Sequence, residues 1–90
     1  MEKFSDLIEV IDSAETNFRV FRENIGIEQY EKLSYLLTDF FELKNIDILA
    51  IILILEKCNK CLAHSNYIGL ADVLAFELRP QLLMEMARSN

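Results

Sequence analysis

The sequence predicts an all-α protein, an up-down bundle of about four antiparallel helices in a single domain over residues 1–90. Three observations lead there. Apolar and aromatic residues make up 52% of the chain, while there are only two Gly and one Pro, so positions for tight turns are few. Leu, Glu, Ala and Lys, all strong helix formers, are abundant. Apolar residues recur at alternating steps of three and four along most of the length, which is the helical period. One stretch departs from that period. Residues 48–55 are eight apolar residues without a break. They fit a buried strand by length, but no second strand-like segment exists to pair with them, so they read as helix.

The first helix is expected over 2–24. Phe4, Leu7, Ile11, Ala14, Phe18, Phe21 and Ile25 form its apolar seam. Its outer face carries Glu2, Asp6, Glu9, Asp12 and Glu15 early and Arg19 and Arg22 late. That order complements the helix dipole, and Glu15–Arg19 is a favourable i,i+4 pair. Gly26 is read as the stop, in the left-handed position beyond the helix end. The second helix then starts near Glu28. Tyr30, Leu33, Leu37 and Phe40 are its seam, widened by Leu36, Phe41 and Leu43.

Residues 44–47 are a short connection, with Asn45 suited to a left-handed cap and Asp47 to an N-cap. So short a link predicts that the second and third helices are antiparallel neighbours. The third helix is expected over 48–64. Unwrapped at 100° per residue, Ile48, Ile51, Ile52, Leu55, Cys58 and Leu62 fall on the core side. Leu49, Ala50, Leu53 and Ile54 fall opposite, followed there by Lys57, Lys60 and His64. Ser65 or Asn66 caps a fourth helix over 67–87. Its inner stripe is Tyr67, Leu70, Ala71, Leu74, Leu78 and Leu82, and a second stripe is Val73, Phe76 and Leu83. Pro80 removes an N–H and crowds the carbonyl of Phe76, so a kink is expected at 76–80.

A net charge of −6 disfavours nucleic acid, where neutralisation by Lys and Arg supplies much of the affinity. It equally disfavours anionic membrane surfaces. The N-terminus lacks the basic and apolar regions of an export signal, and residues 48–55 are too few for a bilayer span of roughly 20. A cytoplasmic protein with free thiols is expected.

Candidate chemistry is sparse. Cys58 and Cys61 form a C-x-x-C, and His64 extends it to C-x-x-C-x-x-H. A redox pair wants its first cysteine at a helix N-terminus, where the dipole lowers the thiol pKa, yet Cys58 lies about ten residues inside a helix. A zinc site needs three or four converging ligands. His64 lies ~120° around the helix from Cys58, and no other Cys or His exists to complete the set. The thiol or metal reading therefore stays a minor alternative. Haem attachment fails because Leu62 follows Cys61. Di-iron bundles need Glu-x-x-His pairs, and nothing presents a nucleophilic serine. No cofactor and no enzymatic activity are expected.

The second apolar faces remain. Leu49, Ala50, Leu53, Ile54, Val73, Phe76 and Leu83 exceed what one four-helix core covers, and large exposed apolar patches are rare on monomers. They predict an interface, either in a homodimer or with a protein partner. The expected function is a protein–protein interaction module: an adaptor, small chaperone or regulatory helper. A purely structural homodimer is the alternative.

Leu70, Ala71, Asp72, Phe76, Glu77, Leu78 and Pro80 form a Leu-Ala-Asp, aromatic-Glu-Leu, Pro pattern. The fourteen residues 67–80 that hold it resemble the closing segment of short helical-bundle proteins of low-GC Gram-positive bacteria. Gly69 and Ala75 depart from the pattern. The resemblance implies a bacterial helper role, in some cases flagellar or secretion-related, and brings no catalytic residue. Asp72 and Glu77 are read as structural acids that cap a helix or pair with Arg79.

Overall fold

The helical periodicity is realised in every segment that carries it. The computed structural model describes residues 2–42 and 46–89, and the side-chain surroundings of 5–42 and 46–88. Helix α1 spans Glu2–Arg19, α2 Glu23–Phe40 and α3 Ile48–Ala63. The last rod is α4 (Tyr67–Val73), a π-helical turn (Leu74–Leu78) and α5 (Arg79–Ser89). No strand occurs among the described residues. The expected caps at Asn45 and the seam residue Leu43 lie outside the described residues.

The two hairpin turns are built alike, and neither uses glycine. At the end of α1, the Arg22 N–H donates to the Asn17 carbonyl (2.8 Å) and the Phe21 N–H to the Phe18 carbonyl (3.2 Å). At the end of α3, the Asn66 N–H donates to Cys61 (2.8 Å) and the Ser65 N–H to Leu62 (3.0 Å). Both are Schellman closures, in which a left-handed residue lets the chain satisfy the last carbonyls. The left-handed residues are Phe21 (φ 62°) and Ser65 (φ 55°). Gly26 therefore does not stop the first helix, which ends five residues earlier than expected, at Arg19. Gly26 lies inside the first turns of α2, buried beneath Phe18. Phe21 and Ile25, expected in the seam, are exposed beside this turn.

The N-termini follow the capping rules. Asp47 accepts from the Ala50 N–H (3.1 Å) and Asn66 from the Gly69 N–H (2.9 Å). Each satisfies one of the four N–H groups that a helix start leaves unpaired.

Packing is uneven around the bundle. α1 packs along α2 and against α4, and α3 packs against α4. α2 and α3, expected as neighbours, are not among the closely packed pairs. A hydrogen bond from the Tyr30 hydroxyl to Asn59 Oδ1 (2.7 Å) spans that seam. The core is Leu7, Ile11, Ala14 and Phe18 of α1, Leu33 and Leu37 of α2, Ile51 and Cys58 of α3, and Leu70, Leu74, Leu78 and Leu82 of the last rod.

Pro80 is accommodated by the π turn rather than by a break. The Arg79 N–H reaches back to the Leu74 carbonyl, one residue further than in an α-helix. The turn also keeps the inner stripe aligned. In a regular helix, steps of four overshoot by about 40° each, so Leu70, Leu74, Leu78 and Leu82 would drift off the core by about 120°. A wider turn between Leu74 and Leu78 takes back part of that drift, and all four are fully buried.

Ion pairs line the α1–α4 and α1–α5 seams. Arg79 donates to Asp12 and to Glu15 (3.0 Å), and Arg19 pairs with Glu15 (2.8 Å) and Asp72 (3.0 Å). Asp72 and Glu77, expected to pair with Arg79, serve Arg19 and Lys57 instead. These pairs are partly exposed, so each contributes at most ~1 kcal/mol. On the other side of the rod, the fully buried Glu85 accepts from the Asp47 backbone N–H (3.3 Å), Gln81 (3.1 Å) and Arg88 (3.2 Å). It fastens the chain entering α3 to α5.

Two substitutions separate this fold from the one expected. A Cβ on Gly26 would stand 2.6 Å from Phe18 Cδ1 and Cε1. Gly26→Ala therefore destabilises by ~1–3 kcal/mol through overpacking, against the ~1 kcal/mol that helix propensity alone would give in its favour. Phe21→Gly relieves a left-handed strain of ~1–2 kcal/mol, partly offset by a freer unfolded chain, so it leaves stability unchanged or raised. Chemical denaturation of both variants checks the signs.

Candidate functional site

The first half of α3 is the least covered helix surface. Ile51 and Cys58 are fully buried, and Ile54, Leu55, Cys61 and Leu62 pack half-buried against the core. Ile48 and Ile52, expected in the core, are 39% and 40% exposed. The reason is the loose seam with α2. Ile48, Ile52, Leu55 and Asn59 lie on one row at i, i+4, i+7 and i+11, and Asn59 is the residue that meets Tyr30. The row faces α2, but α2 does not close on it. On the opposite row Leu49 is 66% and Leu53 52% exposed. Ala50 and Ile54, expected on that outer face, are half-buried, and Ile54 turns inward against the core.

The last rod divides differently from its expected second stripe. Val73 is buried and belongs to the core. Phe76, within the π turn, is 72% exposed. Leu83 is exposed, but it stands i+4 from Arg79, which reaches α1. Leu83 therefore sits on the α1 shoulder, away from α3. Met84 is exposed one turn after Pro80, which is itself one turn after Phe76. Sequence reading missed Met84 because the row had been ended by a kink at Pro80. Continuity through the π turn extends it.

An ion pair between Lys57 and Glu77 (2.6 Å) relates the two rows. Leu53 lies one turn before Lys57 on the same face of α3, and Phe76 is next to Glu77. The structure thus brings Leu49, Leu53, Phe76 and Met84 to the outer side of the α3–α4–α5 hairpin. A smaller exposed group, Val20, Phe21 and Ile25, surrounds the α1–α2 turn.

The thiols are set up for packing rather than for reaction. Burial pushes the Cys58 thiol up to about 12, with Cys61 and Glu77 adding to the effect. That is the opposite direction from an activated nucleophile. Tyr30, whose pKa is likewise raised, first by burial and then by Cys58, closes over it. His64 is exposed at the C-cap of α3 while Cys58 points into the core, so the C-x-x-C-x-x-H residues do not converge. Among the described residues no group of three or more His, Cys, Asp or Glu could hold a metal ion. Among them, too, no helix is long and apolar enough to cross a membrane.

Comparison of the chain with protein-family models, with curated proteins and with solved structures returns no match.

The thiol environment has a measurable consequence. Brief alkylation at neutral pH modifies Cys61 first, and Cys58 only as the protein opens, which mass spectrometry resolves. A thiol raised from 9.0 to about 12 favours the folded state below pH 9. That contribution is lost as pH rises towards 12, because the unfolded chain releases the proton first. Stability therefore falls across this window, and Cys58→Ala flattens the fall while costing stability at neutral pH.

Proposed function

We propose that this chain is a non-enzymatic protein-interaction module. Its working surface is the outer side of α3 and the π turn, with Leu49, Leu53, Phe76 and Met84 as the contacting side chains. The observation that carries the reading is Phe76. A phenylalanine 72% exposed, held in a π turn beside an apolar helix row, contributes nothing to its own core. Aromatic residues fixed on a helical scaffold are the usual anchors of protein interfaces, and π turns recur at functional positions. Recognition would take the helix-packing mode, with apolar residues at i and i+4 set against a partner helix. The rest of the chain supports the same reading: the buried, raised thiol of Cys58 argues against redox chemistry, and the negative charge argues against nucleic acid. A helper role in a bacterial cytoplasm fits the resemblance carried by residues 67–80.

The reading is tested by measuring sedimentation mass and hydrophobic-dye binding on the same samples of wild type and of Leu53→Glu, Phe76→Glu. Either the wild type binds dye at this surface or an assembly covers it, so the paired substitution must change dye binding or mass. Thermal stability should stay nearly unchanged, as for exposed positions. If stability falls by several kcal/mol and both other readouts are unmoved, these side chains serve the fold and the proposal is wrong.

A further inference from the structure

We infer that the occupant of this surface is a second copy of the same chain, seated by a two-fold axis against the outer side of the α3–α4–α5 hairpin. The inference rests on the interaction reading above and adds the identity of the partner. It comes from where the charge lies. Residues 1–42 hold ten acidic and four basic residues, whereas residues 43–90 hold five of each. The whole net charge of −6 therefore sits on the α1–α2 hairpin, and the hairpin that carries the apolar surface is neutral.

That division selects among occupants. A strongly basic or strongly acidic partner finds no opposite field on the α3–α4–α5 side, where Lys57 and Glu77 already neutralise each other at 2.6 Å. A second copy presents the same neutral, apolar side, which is what an isologous two-fold interface requires. The arrangement also separates the like charges. Packed helices stand 8–10 Å apart, so with the two neutral hairpins in the middle the acidic layers lie about 25–30 Å apart. Screening falls off within about 8–10 Å at physiological salt, so the two layers hardly repel. Any association through α1 and α2 would instead press Asp6, Glu9, Glu28, Glu31, Asp39 and Glu42 of both copies together, all of them exposed.

The area required is within reach. A stable interface takes about 800 Å² from each partner, roughly one-seventh of the 5514 Å² that this chain exposes. Leu49, Leu53, Phe76 and Met84 supply the apolar centre, with Lys57, Glu77 and Arg88 as its polar border.

Sedimentation equilibrium of the full chain over a wide concentration range tests this. The expected result is a dimer whose dissociation constant hardly changes from low to high salt. Leu53→Glu and Phe76→Glu each weaken it at least ~100-fold, because each buries a charge without a partner. Leu83→Glu, on the α1 shoulder, leaves the dimer intact. Circular dichroism of each variant reports that the helices persist, and the milder Leu53→Ala and Phe76→Ala give a graded loss if a glutamate variant fails to fold. A monomer at every concentration, with dye binding that Leu53→Glu abolishes, overturns the second copy while leaving the interaction surface standing. A dimer that tolerates both glutamates overturns both. A dimer strengthened steeply by salt and broken by Leu83→Glu overturns the geometry.

Discussion

The fold depends on one ring. Phe18 lies at the end of α1 with one neighbour on each side. Against it is the bare backbone of α2 at Gly26, where even a methyl group would intrude. Also against it is Tyr67, the first residue of α4, stacked nearly parallel with centroids 5.6 Å apart and 9° between planes. Three helices thus meet on a single side chain that is fully buried. The close approach of α2 to α1 requires glycine, and the stack fixes where α4 begins. The antiparallel pairing of α1 with α4 and α5 then brings Asp12 and Glu15 to Arg79, and Arg19 to Asp72. Those pairs are consequences of the register that Phe18 sets. They refine it, since exposed pairs of this kind are weak.

The π turn plays the matching part at the other end. Pro80 cannot donate a hydrogen bond and its ring crowds the preceding turn. Widening the helix over Leu74–Leu78 accommodates both difficulties and holds four leucines on one line. It also places three consecutive side chains in three directions. Phe76 faces outward, Glu77 reaches Lys57 on α3, and Leu78 enters the core. Local backbone chemistry, core alignment and the exposed aromatic therefore share one cause.

Much of this was legible in the residues. The helix count, the caps at Asp47 and Asn66, the inner leucine stripe and the absence of a converging Cys–His site all follow from period and spacing. The failures have physical reasons. Gly26 reads as a stop because glycine favours the left-handed region, but a chain can close a helix with Phe21 there when the ring is left exposed. Ile48 and Ile52 read as core because a four-helix bundle was assumed to close on all four sides. Nothing in a one-dimensional pattern says that one seam stays loose. Val73 and Leu83 were assigned to one stripe with Phe76 because the π turn, which rotates everything after it, leaves no mark except Pro80. Arg79 was given to its neighbours in sequence, whereas its partners lie more than sixty residues away on α1.

The loose seam between α2 and α3 divides the molecule by cohesion. α1, α2 and the last rod share the Phe18 junction and the ion-pair ladder. α3 is held chiefly along one side, by its contact with α4, with Tyr30–Asn59 and the Glu85–Asp47 link at its two ends. Cooperative units in proteins follow such differences in contact. α3 is accordingly the segment whose backbone hydrogen bonds open at the lowest free energy, and the other three rods form the slow-exchanging nucleus. The helix that carries the apolar run is thus the one most readily re-seated when something binds it.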